Sequence, residues 1–362
     1  MNLKDTFSPQ TSRDETPLSA LEPQDLATPF KLEGTDEEKA DLTDVINRIA
    51  VSKVGRQILE EAAALGYTVK IGDLGATMGA CRSRSKELIM SNRQDPDKWV
   101  STLVHEARHA GQIGRGAIAG YDPFVSMKSQ LPEKRLMEAD AVACSIQVCE
   151  ELFFKYDYMP LSRMRRDYQG MVSDYEEAQA DRAEMTDKEK GEVMSACLLG
   201  WYNDEYRKMA YEMSHVLDPL SRGELYANRT GTLKEFSLAD SVKKICTLNG
   251  ENYFSQPLSV LQQPERAGLS NASAAWVKEH VRACNEAGVS SDPSLAEIPL
   301  YQEKPYIKNQ TEEQYGKMPA YLSEKGMKNL KDCREAGKST FRIAVSEDVK
   351  KQYWLSRLVK GR

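Results

Sequence analysis

Five consecutive residues, His105-Glu106-Ala107-Arg108-His109, constrain this chain more than any other stretch, because their spacing brings the side chains together only on a helix. Residues four apart on an α-helix lie about 40° apart around its axis, so both imidazoles leave one face and can meet one cation. Glu106 stands one residue after the first histidine, off to the side, where a carboxylate reaches water beside that cation without becoming a ligand. The flanks suit such a helix. Trp99, Val100, Leu103, Val104, Ala107 and Ala110 recur at three-and-four spacing, while Thr102, His105, His109 and Gln112 form a polar stripe beside them. One face packs and the other is left for chemistry. A histidine pair can also be merely solvated, but only four histidines occur in 362 residues, and the chance expectation of the full pattern is roughly 1% or less.

The rest of the composition says what can surround that helix. A chain of 362 residues can bury the core of one large or two modest domains. It has no run of 18 apolar residues, which excludes a membrane span by a helix, and Met1-Asn2-Leu3-Lys4-Asp5 lacks the apolar core of a secretory signal. Seven cysteines, scattered and without a C-x-x-C pair, are the usage of a reducing compartment, so the cytoplasm is expected. Net charge is −6; residues 1–41 carry ten acids against four bases, and residues 325–362 eleven bases against four acids. No broad basic face argues for nucleic acid, and the basic C-terminal end reads as a solvated helix surface.

Residues 1–35 are rich in Ser, Thr, Pro and acids and are expected to be a disordered tail, unless they carry a secretion signal without a hydrophobic mark. Thr35-Asp36-Glu37-Glu38 starts a helix, broken once, over 36–65. Strands come next at Tyr67–Ile71 and Lys86–Ser91 beyond a glycine-containing loop, with an edge strand expected beside the cleft. Asp95-Pro96-Asp97 starts the motif helix, which Gly111–Gly116 should end. Pro132 should open a long helix to about 157. Residues 161–215 read as helical throughout, with further short helices at 234–248 and 271–286. An irregular Pro- and Tyr-rich connection at 288–322 leads to two last helices flanking strand-like Phe341–Val345.

Catalytic zinc usually has three protein ligands and an open fourth position, so two histidines leave one to find. No third histidine occurs at the short spacing of the metzincins. Instead, the segment Met137-Glu138-Ala139-Asp140-Ala141-Val142-Ala143 places Glu138 29 residues after His109. On these residues the chain resembles the gluzincin-like metallopeptidases, over roughly 67–155. The resemblance implies His105, His109 and Glu138 as ligands of Zn2+ and Glu106 as general base on the zinc-bound water. Where many gluzincins carry an orienting acid four residues after the ligand glutamate, this chain has Val142. Asp140 points roughly 200° away from Glu138 around a helix, so only one of them can face the metal; Glu133 or a later acid is a further alternative, and the acid that is not a ligand can hydrogen-bond a ligand histidine. Candidate donors to an oxyanion are Tyr121, Tyr202, Tyr206 and His215, and Arg108 can pair with an acid on the neighbouring helix.

The expected fold is α+β and mostly helical. A minimal zincin core, with short strands, motif helix and ligand helix, occupies 36–160; a helical extension covers 161–287, then the irregular connection and C-terminal helices 288–362. The expected activity is zinc-dependent hydrolysis of a protein or peptide substrate, with oligomeric state left open. Two other classes compete with it: a metal-containing regulatory or interaction protein with little turnover, and a helical interaction scaffold with an accidental motif.

Overall fold

A computed structural model describes residues 26–27, 29–120, 122, 124–155, 157–180, 185–217, 233–286 and 292–304. Helix α1 (Asp36–Val51) begins with a capping box in which Thr35 and Glu38 each bond the other's backbone N–H, worth about 1 kcal/mol. Ser52 breaks the helical run and caps α2 (Lys53–Ala64) by accepting from Gly55 N–H at 2.8 Å. The motif helix α3 (Pro96–Gly114) has Asp95 as its cap and Pro96 in its first turn.

Four short strands, β1 (Lys31–Glu33), β2 (Thr68–Gly72), β3 (Gly79–Arg82) and β4 (Glu87–Ser91), form one sheet in the order β1-β2-β4-β3. Strand β1 lies within the stretch expected to be a tail; it pairs in parallel with β2, which also pairs in parallel with β4. Strand β3 lies in the expected glycine-containing loop, antiparallel to β4, and forms the sheet edge. Interior β4 buries Leu88, Ile89 and Met90 in a continuous apolar run.

Helix α3 runs three residues past Gly111, further than its glycines suggested. The reason is packing: a Cβ at Gly111 would lie 2.3 Å from Glu61 Oε2 and one at Gly114 2.6 Å from Leu65 Cδ1, so these glycines let α2 and α3 approach closely. The long helix α4 spans Met127–Phe153. It starts before Pro132, because Ser126 caps it by accepting from Ser129 N–H, and Pro132 sits within its second turn. Nearly every face of α4 is buried, and its apolar side chains join those of α1, α2 and α3 in one core.

Beyond it come α5 (Tyr158–Asp167), α6 (Gln169–Gln179), α7 (Asp187–Gly200) and α8 (Glu205–Glu212), the last continuing into a π-helical turn at Met213–Leu217. Residues 181–184 lie outside the described residues. Helix α9 (Leu238–Ile245) is succeeded by a hairpin of β5 (Thr247–Leu248) and β6 (Glu251–Asn252). Its turn is Asn249-Gly250, both at positive φ (53° and 79°), as a two-residue hairpin requires. A four-residue helix α10 (Pro264–Ala267), strand β7 (Leu269–Ser270), helix α11 (Asn271–Glu286), a 3-10 turn at Pro293–Glu297 and strand β8 (Leu300–Tyr301) complete the described chain. The helices and strand expected beyond 322 lie outside the described residues. The fold is α+β and mostly helical, as expected. No helix among the described residues is long and apolar enough to cross a membrane.

Candidate metal centre

Helices α3 and α4 pack side by side, and the apolar stripe Trp99, Val100, Leu103, Val104, Ala107 and Ala110 is wholly buried. That fixes the rotation of α3 and turns His105, Glu106 and His109 into a cleft of about 390 Å³. Glu138 enters the same cleft from α4.

Two imidazole nitrogens and the two oxygens of one carboxylate converge there. His105 Nε2 and His109 Nε2 are 3.0 Å apart, His105 Nε2 lies 3.3 Å from Glu138 Oε2, and His109 Nε2 lies 3.5 Å from Glu138 Oε1. Two donors each about 2.1 Å from a tetrahedral ion stand about 3.4 Å apart, so the spacings already fit one ion. Two imidazole nitrogens and a carboxylate oxygen are also a donor set that suits zinc. The rings of His105 and His109 meet edge to face, with centroids 4.5 Å apart.

The charges of the cleft act on one another. Burial lowers the His109 imidazole, but Glu138 outweighs it and brings the ring up to about 9. Burial raises the Glu138 carboxyl, and the two histidines more than reverse this, holding it well below the usual range. Glu106 is the exception among these carboxyls: burial dominates and pushes it up against the pull of His105 and His109. It is 8% exposed, and the Cys81 backbone N–H of edge strand β3 donates to it.

The other candidates fall elsewhere. Asp140 does not line the cleft; it is fully buried between α4 and α3, where it pairs with Arg108 through Nε and Nη2 at 2.6 and 3.0 Å. Glu133 accepts from Ile118 N–H and the Ser241 hydroxyl, away from the cleft. Val142 lines the cleft. Tyr202 is buried against Trp201, and half-buried Tyr206 does not line the cleft. Tyr121 lies outside the described residues. His215 stands one layer back, stacked on Tyr211 at 5.4 Å, and burial lowers it to about 4.

Tyr211 itself is the cleft residue that sequence reasoning missed. Its hydroxyl donates to Glu138 Oε2 at 2.7 Å, and burial next to that carboxylate raises it well above its usual value, which keeps it a donor at neutral pH. No local signal marks it among sixteen tyrosines. Its place is set from α8, where the next residue, Glu212, is fully buried and tied to Arg135, Ser270, Ser273 and Tyr301. Around the rim, Arg207 lies over the Tyr168 ring at 3.9 Å, and Arg163 bonds Asp95 and Asp97.

No curated protein and no solved structure matches the chain. A family profile does match, over residues 19–254, which takes in all of α3, α4, α8 and the hairpin after α9. A chain matched over that much of its length, with a half-buried His-His-Glu cluster in the matched span, belongs to the family described as "Putative metallopeptidase family (DUF6782)".

Proposed function

We propose that this chain is a zinc-dependent peptidase with a gluzincin-like centre, His105, His109 and Glu138 being the ligands and Glu106 the general base. The observation that carries the reading is that the two imidazole Nε2 atoms, 3.0 Å apart, each stand 3.3–3.5 Å from an oxygen of the Glu138 carboxylate, spacings that suit donors to one zinc. A zinc ion held there would polarise a substrate carbonyl and lower the pKa of water.

The protein's own groups supply the rest. Glu106 takes a proton from the attacking water and passes it to the leaving amine; burial, which raises its pKa, favours its holding that proton between the two transfers. The Cys81 N–H holds its carboxylate at the cleft wall. Tyr211, protonated and in the cleft, turns its one hydroxyl proton from Glu138 to the oxygen that gains charge as the carbonyl becomes tetrahedral. Edge strand β3, whose Gly79 lines the cleft, offers backbone groups to an extended peptide, which would bind as an added strand.

The test is Glu106→Gln in the full chain, assayed on a mixed peptide library with zinc content measured in parallel. The expected result is a loss of cleavage of about 10²- to 10⁴-fold with zinc retained. Undiminished cleavage in this variant would refute the assignment.

A further inference from the structure

The ligand His109 is gripped from behind. Its Nδ1 lies 2.8 Å from Gln112 Oε1, while Gln112 Nε2 donates to Met137 O at 2.9 Å and to Asp140 Oδ2 at 2.6 Å. The amide can take only this orientation, because both of its other partners are acceptors and a flipped amide would set oxygen against oxygen. An amide oxygen accepts and never donates, so it holds the proton of the neutral imidazole on Nδ1 and leaves the Nε2 lone pair facing His105 and Glu138.

Asp140 is anchored in turn by residues far along the chain. Tyr253 OH donates to its Oδ1 at 2.5 Å, and Arg108, which grips both carboxylate oxygens, also donates to Ile245 O at 2.7 Å. Tyr253 comes directly after the Asn249-Gly250 hairpin, and its N–H donates to Cys246 O at 3.0 Å. Its own carbonyl accepts from Ser195 Oγ and lies so near Gly191 of α7 that a Cβ there would stand 2.8 Å away. Gln112, Asp140 and Arg108 are all 0% exposed.

We infer that Gln112 is a positioning residue of the metal centre, and that α9 and the hairpin after it, through Tyr253 and Asp140, hold Gln112 in place. The inference rests on the reading of His105, His109 and Glu138 as zinc ligands. It gives residues 238–254 a part in the metal site although none of them touches it. The family match ends one residue after Tyr253.

The test compares the full-length wild type with Gln112→Met, which keeps the volume and removes both hydrogen-bonding ends, with Tyr253→Phe, and with the double variant. Zinc affinity is measured by competition with a chromophoric chelator, and the His109 tautomer by 15N NMR of the metal-free protein at a pH above about 10, where the ring that titrates at about 9 is neutral. Gln112→Met should weaken zinc binding about 10- to 100-fold. It should also end the exclusive Nδ1–H form of His109, which a purely structural role for Gln112 would leave in place. Tyr253→Phe leaves Asp140 its bonds to Arg108 and Gln112 and so keeps the fold testable; it should weaken zinc binding by a smaller factor. The double variant should bind no more weakly than Gln112→Met, because the two act along one route. Wild-type affinity and tautomer in Gln112→Met would overturn the positioning role, and wild-type affinity in Tyr253→Phe would overturn the part given to the hairpin. A wild type that binds no zinc would instead overturn the metal-centre reading itself.

Discussion

Gly79 allows the proposed general base to be displaced without touching a ligand. A Cβ added there would lie 2.5 Å from Thr102 Cγ2 and 2.9 Å from both Cγ and Oε1 of Glu106, where ordinary contact begins at 3.4 Å. About half to one ångström must therefore be opened between β3 and α3. Thr102 is on a helix packed into the core, so the strand or the Glu106 side chain gives way. A misplacement of about 1 Å costs roughly 10²-fold in rate, so Gly79→Ala should lower kcat/KM about 10- to 100-fold, or about 1.4–2.7 kcal/mol of barrier. None of His105, His109 and Glu138 is among the atoms nearest the added Cβ, so zinc affinity should stay within about twofold of wild type. The assay is cleavage of a fluorescence-quenched peptide mixture alongside chelator competition for zinc. Full activity, or loss of zinc in step with activity, would refute the argument that β3 sets the position of Glu106.

Two more outcomes rest on single contacts. Tyr211→Phe removes a donor from the cleft and should reduce kcat about 10- to 100-fold with little change in KM, measured by steady-state cleavage; a change confined to KM would show that Tyr211 only binds substrate. Glu150, 4% exposed, is raised to about 7 by burial and then by Glu176. Because its folded pKa lies above the unfolded one, its stabilising protonation is fully present below about pH 4.5 and is lost as pH rises through 7. Glu150→Gln should therefore gain up to about 3 kcal/mol relative to wild type between pH 4 and pH 8, read from urea unfolding at both values, and an equal gain at both would show that the carboxyl does not titrate in this range.

The parts of the site that were legible in the sequence are those set by helical periodicity. The apolar stripe fixed the rotation of α3, the spacing of His105 and His109 put both rings on its free face, and the angular separation of Glu138 and Asp140 implied that only one could join them. The pairing of Arg108 with an acid on the next helix came from the same geometry. Strands β2 and β4 were legible because the first alternates β-forming residues and the second carries an apolar run. Strand β3, Gly-Ala-Cys-Arg, has no such run; it is a strand because β4 offers it an edge, which is a tertiary effect. Strand β1 is three residues long and depends likewise on β2. The start of α4 was misplaced because Pro132 favours a first turn, whereas Ser126 supplies the cap. The hairpin around Asn249-Gly250 was passed over by the expectation of a helix running to 248, and only the packing of that hairpin against α7 shows where the ring of Tyr253, directly after it, goes. Tyr211 and the Gln112–Asp140 contact join residues 73 and 28 positions apart, and no local pattern encodes such pairings.

The central claim, that two imidazoles and one carboxylate close on a single ion, is tested most directly by metal stoichiometry. Purified full-length protein, dialysed against dilute zinc and measured by mass spectrometry of its metal content, should hold one zinc per chain, and Glu138→Ala and His109→Ala should each hold less than about a tenth of that. Zinc absent from the wild type, or undiminished in both variants, would contradict the account.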